Sequence, residues 1–146
     1  MKLIGVEEKY FLAWKQMRQT LYSGLETEFH EQEMQWIFTS DDKACFIFLS
    51  DRDEIMGFLE ISLRNIVDGC LGNPVGYIEG IYLKPQYRGC GYGREIINYA
   101  ADWFRSRGCQ DMATDAEIDN INAQEFYKSL GFQETYCIVE FKKNLG

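Results

Sequence analysis

A glycine-rich turn between a predicted strand and a predicted helix constrains the fold more than any other feature. Apolar residues fill the strand, 76–83, and a helical repeat of apolar residues begins at Arg94. Glycines stand at alternate positions of the turn: Gly89, Gly91 and Gly93. Without side chains there, backbone N–H groups and the positive end of the helix dipole can approach an anion closely. The turn predicts a pyrophosphate cradle, with Arg88 and Arg94 adding charge at its edges.

The spacing of these glycines, taken alone, leaves an ordinary glycine-rich turn as an equal alternative. Two common nucleotide-binding motifs are excluded. A P-loop needs Gly-Lys-Ser/Thr, which the sequence lacks, and a dinucleotide-binding turn needs a glycine where Arg94 stands. The ligand of the cradle must therefore be identified from the surrounding residues.

Composition and charge restrict the partners. The 146 residues, 46% of them hydrophobic, are enough for one core, so residues 1–146 are expected to form a single domain. A net charge of −8 disfavours nucleic acid and anionic membranes and favours a cationic small molecule. Five cysteines without C-x-x-C spacing argue against disulfides or a zinc site, so no metal is expected. The absence of a signal-like or membrane-spanning apolar run agrees with a cytoplasmic location.

The remaining patterns predict an α+β domain. Two amphipathic helices come first, a hairpin follows, and strands then alternate with helices. The predicted helices are 7–22, 27–39, 94–107 and 120–130. The predicted strands are 44–49, 55–67, 76–83, 111–116 and 132–142. This order is typical of an α+β sheet domain.

A second motif lies downstream of the glycine turn, and the two together resemble the GNAT acetyltransferase superfamily. The first is Arg-x-x-Gly-x-Gly after a strand ending Ile81-Tyr82-Leu83-Lys84-Pro85. The second is Asn120-x-x-Ala123-x-x-Phe126-Tyr127-x-x-x-Gly131-Phe132. The resemblance implies a mixed, mostly antiparallel central sheet of roughly six to seven strands flanked by about four helices. It also implies acetyl-CoA as the co-substrate.

The same resemblance assigns cofactor contacts residue by residue. The backbone of Ile81, Tyr82 and Leu83 would meet the pantetheine arm, which Asn120 would also bind. The pyrophosphate would lie against the turn, which comprises Arg88, Gly89, Cys90, Gly91, Tyr92, Gly93 and Arg94. Tyr127 matches a tyrosine that in many members protonates the departing thiolate. The alternative to this catalytic role is that the Tyr127 ring only packs against the core.

Glu79 is the candidate catalytic carboxylate. It stands within an otherwise apolar run, 75–81, where a charged side chain is unusual unless it has a role. Attack on a thioester needs a neutral amine and a donor for the oxyanion, and a backbone N–H near Ile81 would supply that donor. Strand alternation predicts that Glu79 and Ile81 share a face, so that Glu79 receives the amine's proton directly or through water. A solvated strand carboxylate is the alternative.

Four segments are closely similar to aminoglycoside 6'-N-acetyltransferases: 77–83, 113–120, 130–135 and 141–144. The similarity implies direct acetylation of a 6'-amino group in a ternary complex, which confers antibiotic resistance, and a homodimer. It also implies that Glu79 and Asp115 bind the ammonium and hydroxyl groups of the substrate, and that Tyr22 and Tyr136 line the pocket. Related enzymes often have Trp in place of Tyr22, an acidic residue in place of Tyr136, and an aromatic near Ile66.

Two other functions remain open at this stage. The acidic residues also fit an acetyltransferase for a polyamine or another cationic metabolite. A non-catalytic acyl-CoA-binding module would keep the glycine turn but lose the acid, the base or the open pocket. His30, the single histidine, falls among glutamates on a helix that is expected to be exposed, which argues against a catalytic role for it.

Overall fold

A five-stranded sheet organises residues 1–114, one of two units of the chain; the other is 115–146. The computed structural model describes all of residues 1–146. Its strands are β1 (Lys2–Gly5), β2 (Lys43–Leu49), β3 (Ile55–Arg64), β4 (Val75–Leu83) and β5 (Met112–Thr114). Its helices are α1 (Phe11–Leu21), α2 (Thr27–Thr39), α3 (Tyr92–Ser106) and α4 (Ile121–Ser129), with short 3₁₀ turns at Glu8–Tyr10 and Pro85–Tyr87. None of these helices is long and apolar enough to cross a membrane.

The strands lie in the order β1-β2-β3-β4-β5. Each neighbouring pair is antiparallel except β4 and β5, which are parallel. β5 pairs only with the first part of β4, from Gly76 to Ile78. Because no strand lies beyond β5, the last part of β4 has β3 on one edge and no neighbouring strand on the other.

Helices α1 and α2 cover one face of the sheet. Trp14 and Met17 of α1 pack with Met34 and Ile37 of α2, at the spacing that sets an apolar stripe on one side of each helix. The same core includes alternate residues of the strands, namely Cys45, Ile47, Leu49, Phe58 and Tyr82. Even-numbered residues of β3 therefore point toward α1 and α2, and odd-numbered ones point to the opposite face.

Helix α3 covers that opposite face. Its buried positions are Ile96, Ile97, Ala100 and Phe104. Phe46 of β2 meets the rings of Tyr99 and Trp103 edge to face. A Cβ on Gly76 would lie 2.3 Å from the Phe104 ring, so this position of β4 needs glycine for the helix to approach. Helix α3 begins at Tyr92, two residues before the predicted start.

The second unit contains one helix and no strand. Helix α4 ends at Ser129, and no regular secondary structure follows Gly131. The predicted strand 132–142 is therefore wrong for this structure, because the segment has no neighbouring strand to share its backbone hydrogen bonds. The apolar side chains of this segment are exposed to solvent, with Ile138, Val139 and Phe141 between 75% and 92% exposed.

The strand count also differs from the prediction. The sheet has five strands rather than six to seven. The sequence patterns missed β1, which is four residues long and pairs along one edge with β2. The α+β class, the mixed and mostly antiparallel sheet and the four helices are as predicted.

Candidate active site

A β-bulge in β4 determines where the candidate catalytic carboxylate points. Glu60 of β3 lies opposite Gly80, and the next residue, Ile61, lies opposite Ile78. Glu79 is therefore an extra residue with no partner across the ladder, which is the definition of a bulge. Such bulges bend a strand and redirect a side chain, and they are common beside functional sites.

Glu79 and Gly80 consequently point to the same face of the sheet, toward α1 and α2. The Glu79 carboxylate accepts a hydrogen bond from Ser62, whose side chain faces that way. A Cβ on Gly80 would lie 1.9 Å from the hydroxyl of Tyr22, the C-cap residue of α1. Ile81 lies opposite Leu59, on the α3 face. The prediction that Glu79 and Ile81 share a face is wrong, because the bulge interrupts the alternation between them.

Glu79 forms an ion pair with Arg64 at the end of β3. Arg64 Nη2 donates to both carboxylate oxygens, at 2.6 and 2.9 Å, and Nε donates to Oε1 at 3.2 Å. Ser62 Oγ donates to the same Oε1 at 3.1 Å. The Arg64 guanidinium lies 3.4 Å from the centre of the Tyr77 ring. The Glu79 side chain is 30% exposed and that of Arg64 43%, so the pair is open to solvent.

A second carboxylate, Glu60, lies on the same face but is fully buried. Trp14 Nε1 donates to it at 2.8 Å, and Arg18 Nη1 donates to both of its oxygens at 2.5 Å. Arg18 also donates from Nη2 to Glu33. Burial raises the pKa of the Glu60 carboxyl, and the Arg18 guanidinium opposes that rise.

Tyr22 connects this buried carboxylate to the bulge. Its hydroxyl lies 3.3 Å from Glu60 Oε1 and 3.3 Å from the backbone carbonyl oxygen of Glu79. Burial, followed by the negative charge of Glu60, raises the pKa of the Tyr22 phenol well above its usual range. Tyr22, which the sequence similarity placed in the acceptor pocket, thus turns its hydroxyl inward, toward β3 and β4.

His30 of α2 is fully buried, so the prediction that it is exposed is wrong. It shares the inner stripe of α2 with Met34 and Ile37, at intervals of four and seven residues. Arg18 Nε donates to His30 Nδ1 at 3.3 Å, and the imidazole stacks on Tyr22. Burial and the nearby Arg18 charge lower the pKa of His30. We call the set Trp14, Arg18, Tyr22, His30, Glu33 and Glu60 the Glu60 cluster.

The patterns singled out Glu79 but missed the Glu60 cluster and Arg64. The signal for Glu60 was present, because it is the one charged residue in a mainly apolar run, 55–63, as Glu79 is in 75–81. The partners of both carboxylates come from elements distant in the chain. Their contacts depend on the packing of α1 and on the register of β3 against β4.

The glycine turn follows β4 within the same unit. Gly89 and Gly91 have φ angles of 75° and 87°, in the left-handed region that favours glycine. No atom lies within 4 Å of a Cβ built on either residue, so the space beside the turn is open. Gly91 is the N-cap of α3. Gly93 lies inside the first turn of that helix rather than in the loop before it.

The charged residues of the turn have different environments. Arg88 Nε donates to the backbone oxygen of Leu83 at 2.8 Å, and its guanidinium lies 5.4 Å from the Tyr82 ring. Arg88 therefore ties the turn to the end of β4. Arg94 is exposed in the first turn of α3, as is Cys90 in the loop before it. The N–H groups at the start of α3 and the exposed Arg94 side chain are the polar groups of the turn that the contacts of Arg88 leave accessible.

The remaining predicted residues belong to the second unit. Asn120 is the N-cap of α4, and its Oδ1 accepts from the Ala123 N–H at 3.1 Å. Tyr127 packs edge to face against Phe126 and Phe132, with ring centres 5.2 and 5.3 Å apart. The two other predicted residues of this unit are solvent-exposed: Asp115, directly after β5, and Tyr136, in the terminal segment.

Comparison with known proteins identifies the class. Residues 10–132 match the Acetyltransferase (GNAT) family, and the chain belongs to that family. The bulged strand, the open edge beside it and the glycine turn before α3 all lie within the matched residues. The fold is the GNAT fold, which confirms the resemblance noted from the two sequence motifs.

Within the family, the chain is similar to aminoglycoside 6'-N-acetyltransferases. The aminoglycoside N(6')-acetyltransferase type 1 of Acinetobacter genomosp. 13 is 33% identical over 147 residues and all of both chains. The apo crystal structure of the aminoglycoside 6'-N-acetyltransferase AAC(6')-IG from Acinetobacter haemolyticus matches with a TM-score of 0.90, 32% identity and full coverage of both chains. The structure of AAC(6')-Iy in complex with the bisubstrate analogue CoA-S-monomethyl-acetylneamine matches with a TM-score of 0.88 and 28% identity, over 98% of this chain and 97% of that one.

Proposed function

We propose that this protein acetylates the 6'-amino group of aminoglycosides with acetyl-CoA, by direct transfer in a ternary complex, and so confers antibiotic resistance. One observation carries the proposal: a bulge turns Glu79 toward one face of β4, and the strand leads directly into an open glycine turn at the start of α3. A carboxylate for a cationic acceptor and a cradle for an anionic donor thus belong to one continuous segment. The full-length similarity to aminoglycoside acetyltransferases supports the choice of acceptor.

The residues present fit acetyl-CoA. The space beside Gly89 and Gly91 is open, and α3 follows the turn directly with first N–H groups that have no acceptor within the helix, which suits a pyrophosphate. The edge of β4 from Ile81 to Leu83 has no neighbouring strand, which leaves backbone groups for the amides of pantetheine. Asn120 would add its Nδ2 donor, since its Oδ1 caps α4. The bound co-substrate supplies the acetyl thioester.

The acceptor side relies on negative charge and aromatic rings. The chain carries a net charge of −8, which attracts a polycation over long range. We assign Glu79 and, from the sequence similarity, Asp115 to the acceptor's ammonium and hydroxyl groups. The rings of Tyr22 and Tyr136 would pack on the sugar faces.

Each proton of the reaction has a candidate group. The acceptor amine must lose a proton before it attacks, and Glu79 would take that proton directly or through a water molecule. The N–H of Ile81, on the open edge of β4, would donate to the oxyanion that forms from the thioester carbonyl. The Tyr127 hydroxyl would protonate the departing thiolate.

The assembly and location belong to the same proposal. We propose that residues 1–146 act as one acetyltransferase domain of a cytoplasmic homodimer that binds neither nucleic acid nor membranes and needs no metal. The terminal segment supports the dimer, because its large apolar residues are exposed in the single chain. A second copy that covers this segment would bury them.

The test is free CoA release with acetyl-CoA and a panel of acceptors: kanamycin, amikacin, gentamicin, spermidine and a basic peptide. We expect release with 6'-amino aminoglycosides, and mass and NMR spectra of the product that locate the acetyl group on the 6'-nitrogen. Release with spermidine alone would instead identify a polyamine acetyltransferase. Binding of acetyl-CoA without release for any acceptor would identify a non-catalytic binding module.

A further inference from the structure

The proposed acceptor carboxylate already holds a cation that belongs to the chain. Arg64 donates three hydrogen bonds to Glu79, and its Nη2 reaches both oxygens. An acceptor's ammonium group at Glu79 would bind these same oxygens, and a guanidinium that stays on them would repel it. Arg64 and the acceptor therefore compete for one binding position.

The surroundings of the pair permit the exchange. Arg64 is 43% and Glu79 30% exposed, so water can replace the bonds that break when the pair opens. The Arg64 guanidinium also stacks on Tyr77 at 3.4 Å, a contact that does not require the carboxylate. Ser62, which is buried, donates to Glu79 independently of Arg64 and holds the carboxylate in position.

We propose that Arg64 is a built-in counter-ion of Glu79, which the ammonium group of the acceptor must displace, so that Arg64 sets the affinity for the acceptor. This inference rests on the proposed function, because it takes Glu79 as the acceptor site. In the free protein the pair neutralises Glu79 and gives it a defined orientation. In the acceptor complex the guanidinium moves off the carboxylate and stays on the Tyr77 ring.

The expected size of the effect follows from the exposure of the pair. Ion pairs this exposed favour the closed form by only a few-fold. Apparent affinity falls in proportion to the fraction of protein with a free site. Removal of the Arg64 charge should therefore lower the acceptor KM about two- to fivefold. The KM for acetyl-CoA should stay unchanged, because the glycine turn lies at the other end of β4.

The experiment uses Arg64→Met in the full-length protein, with kanamycin as acceptor. Methionine keeps an unbranched chain that can lie on Tyr77 but carries no charge and donates no hydrogen bond. Arg105→Met is the matched control, since Arg105 is an exposed arginine on α3 that pairs with Asp102. It reports the effect of net charge alone. Thermal unfolding of both variants checks that they fold.

A double-mutant comparison isolates the competition for Glu79. Calorimetric titration of kanamycin into CoA-saturated protein gives the acceptor affinity without turnover. We expect Arg64→Met to tighten binding in the wild-type background and to have no effect in a Glu79→Gln background. The inference would be overturned if Arg64→Met still tightened kanamycin binding in the Glu79→Gln background. It would also be overturned if Arg105→Met tightened kanamycin binding to the same extent.

The two proposals fail in different ways. If the wild type acetylates kanamycin while Arg64→Met leaves the acceptor KM unchanged or raises it, only the role of Arg64 is refuted. A raised KM would mean that Arg64 itself contacts the acceptor. If the wild type acetylates no aminoglycoside, the proposed function fails and the inference fails with it.

Discussion

Two carboxylates on the same face of the sheet, Glu60 and Glu79, are each paired with an arginine, yet their surroundings differ. Glu60 is fully buried, and three of its partners come from α1 and its C-cap residue: Trp14, Arg18 and Tyr22. Glu79 lies at the bulge, 30% exposed, with Arg64 as its partner. Neither residue of the buried pair can leave without exposing an unpaired charge to an apolar core. The exposed pair can open at little cost.

The difference in burial gives the two carboxylates different roles: Glu60 supports the backbone, and Glu79 is available to bind a ligand. Tyr22 extends the buried set to the Glu79 carbonyl oxygen, so the Glu60 cluster holds the backbone of the bulge from the α1 side. The Glu79 side chain remains outside that cluster, on a strand whose other edge is open. A fixed backbone with an exchangeable side-chain partner is what a binding carboxylate needs.

Loss of the buried carboxylate should have the largest effect. Glu60→Ala leaves the Arg18 guanidinium buried without its main partner, and we expect the free energy of unfolding to fall by about 3–5 kcal/mol. Urea denaturation followed by circular dichroism measures this change. The matched control is Glu79→Ala, which should cost less than about 1 kcal/mol because its pair is exposed. Equal costs for the two substitutions would contradict the distinction between them.

Loss of the exposed carboxylate should affect turnover instead. Glu79→Gln keeps the shape of the side chain but cannot accept a proton, and we expect kcat to fall about a hundredfold or more. The KM for acetyl-CoA should be unchanged, since the proposed donor contacts are backbone groups and the glycine turn. Steady-state CoA release with kanamycin measures both constants. Unchanged kcat would remove Glu79 from the proton transfer.

The sequence contained enough to predict the elements on which this comparison depends. The predicted bounds of α2 match the structure, and those of β4 differ by one residue at its start. These elements have strong periodic patterns or clear turn signals at both ends. The glycine turn was also correctly located between a strand and a helix, because its spacing is local in the chain.

The features missed by the patterns depend on pairing between distant segments. The bulge at Glu79 exists only in the register of β4 against β3, so alternation within β4 could not reveal it. β1 is too short to stand out without its partner strand. The segment 132–142 shows the converse, since its local pattern favours a strand but no strand forms there. The Arg64–Glu79 contact needs both the register and the bulge.

The smallest expected effect comes from the hydroxyl that joins the two regions. Tyr22→Phe removes the one O–H donor that lies 3.3 Å from both Glu60 Oε1 and the Glu79 carbonyl oxygen, but keeps the ring. Because Glu60 retains Trp14 and Arg18, the free energy of unfolding should fall by only about 1 kcal/mol. Urea denaturation measures it, with Tyr136→Phe as the control for loss of an exposed phenol.

The same variant separates two roles for Tyr22. If the ring packs on the acceptor while the hydroxyl supports the bulge, the acceptor KM should change less than about twofold, since Phe keeps the packing surface. A modest fall in kcat would then report a shift of the Glu79 backbone rather than a lost substrate contact. A large rise in acceptor KM at constant kcat would mean that the hydroxyl leaves Glu60 to bind the acceptor. In that case the buried and exposed regions would be less separate than their geometry indicates.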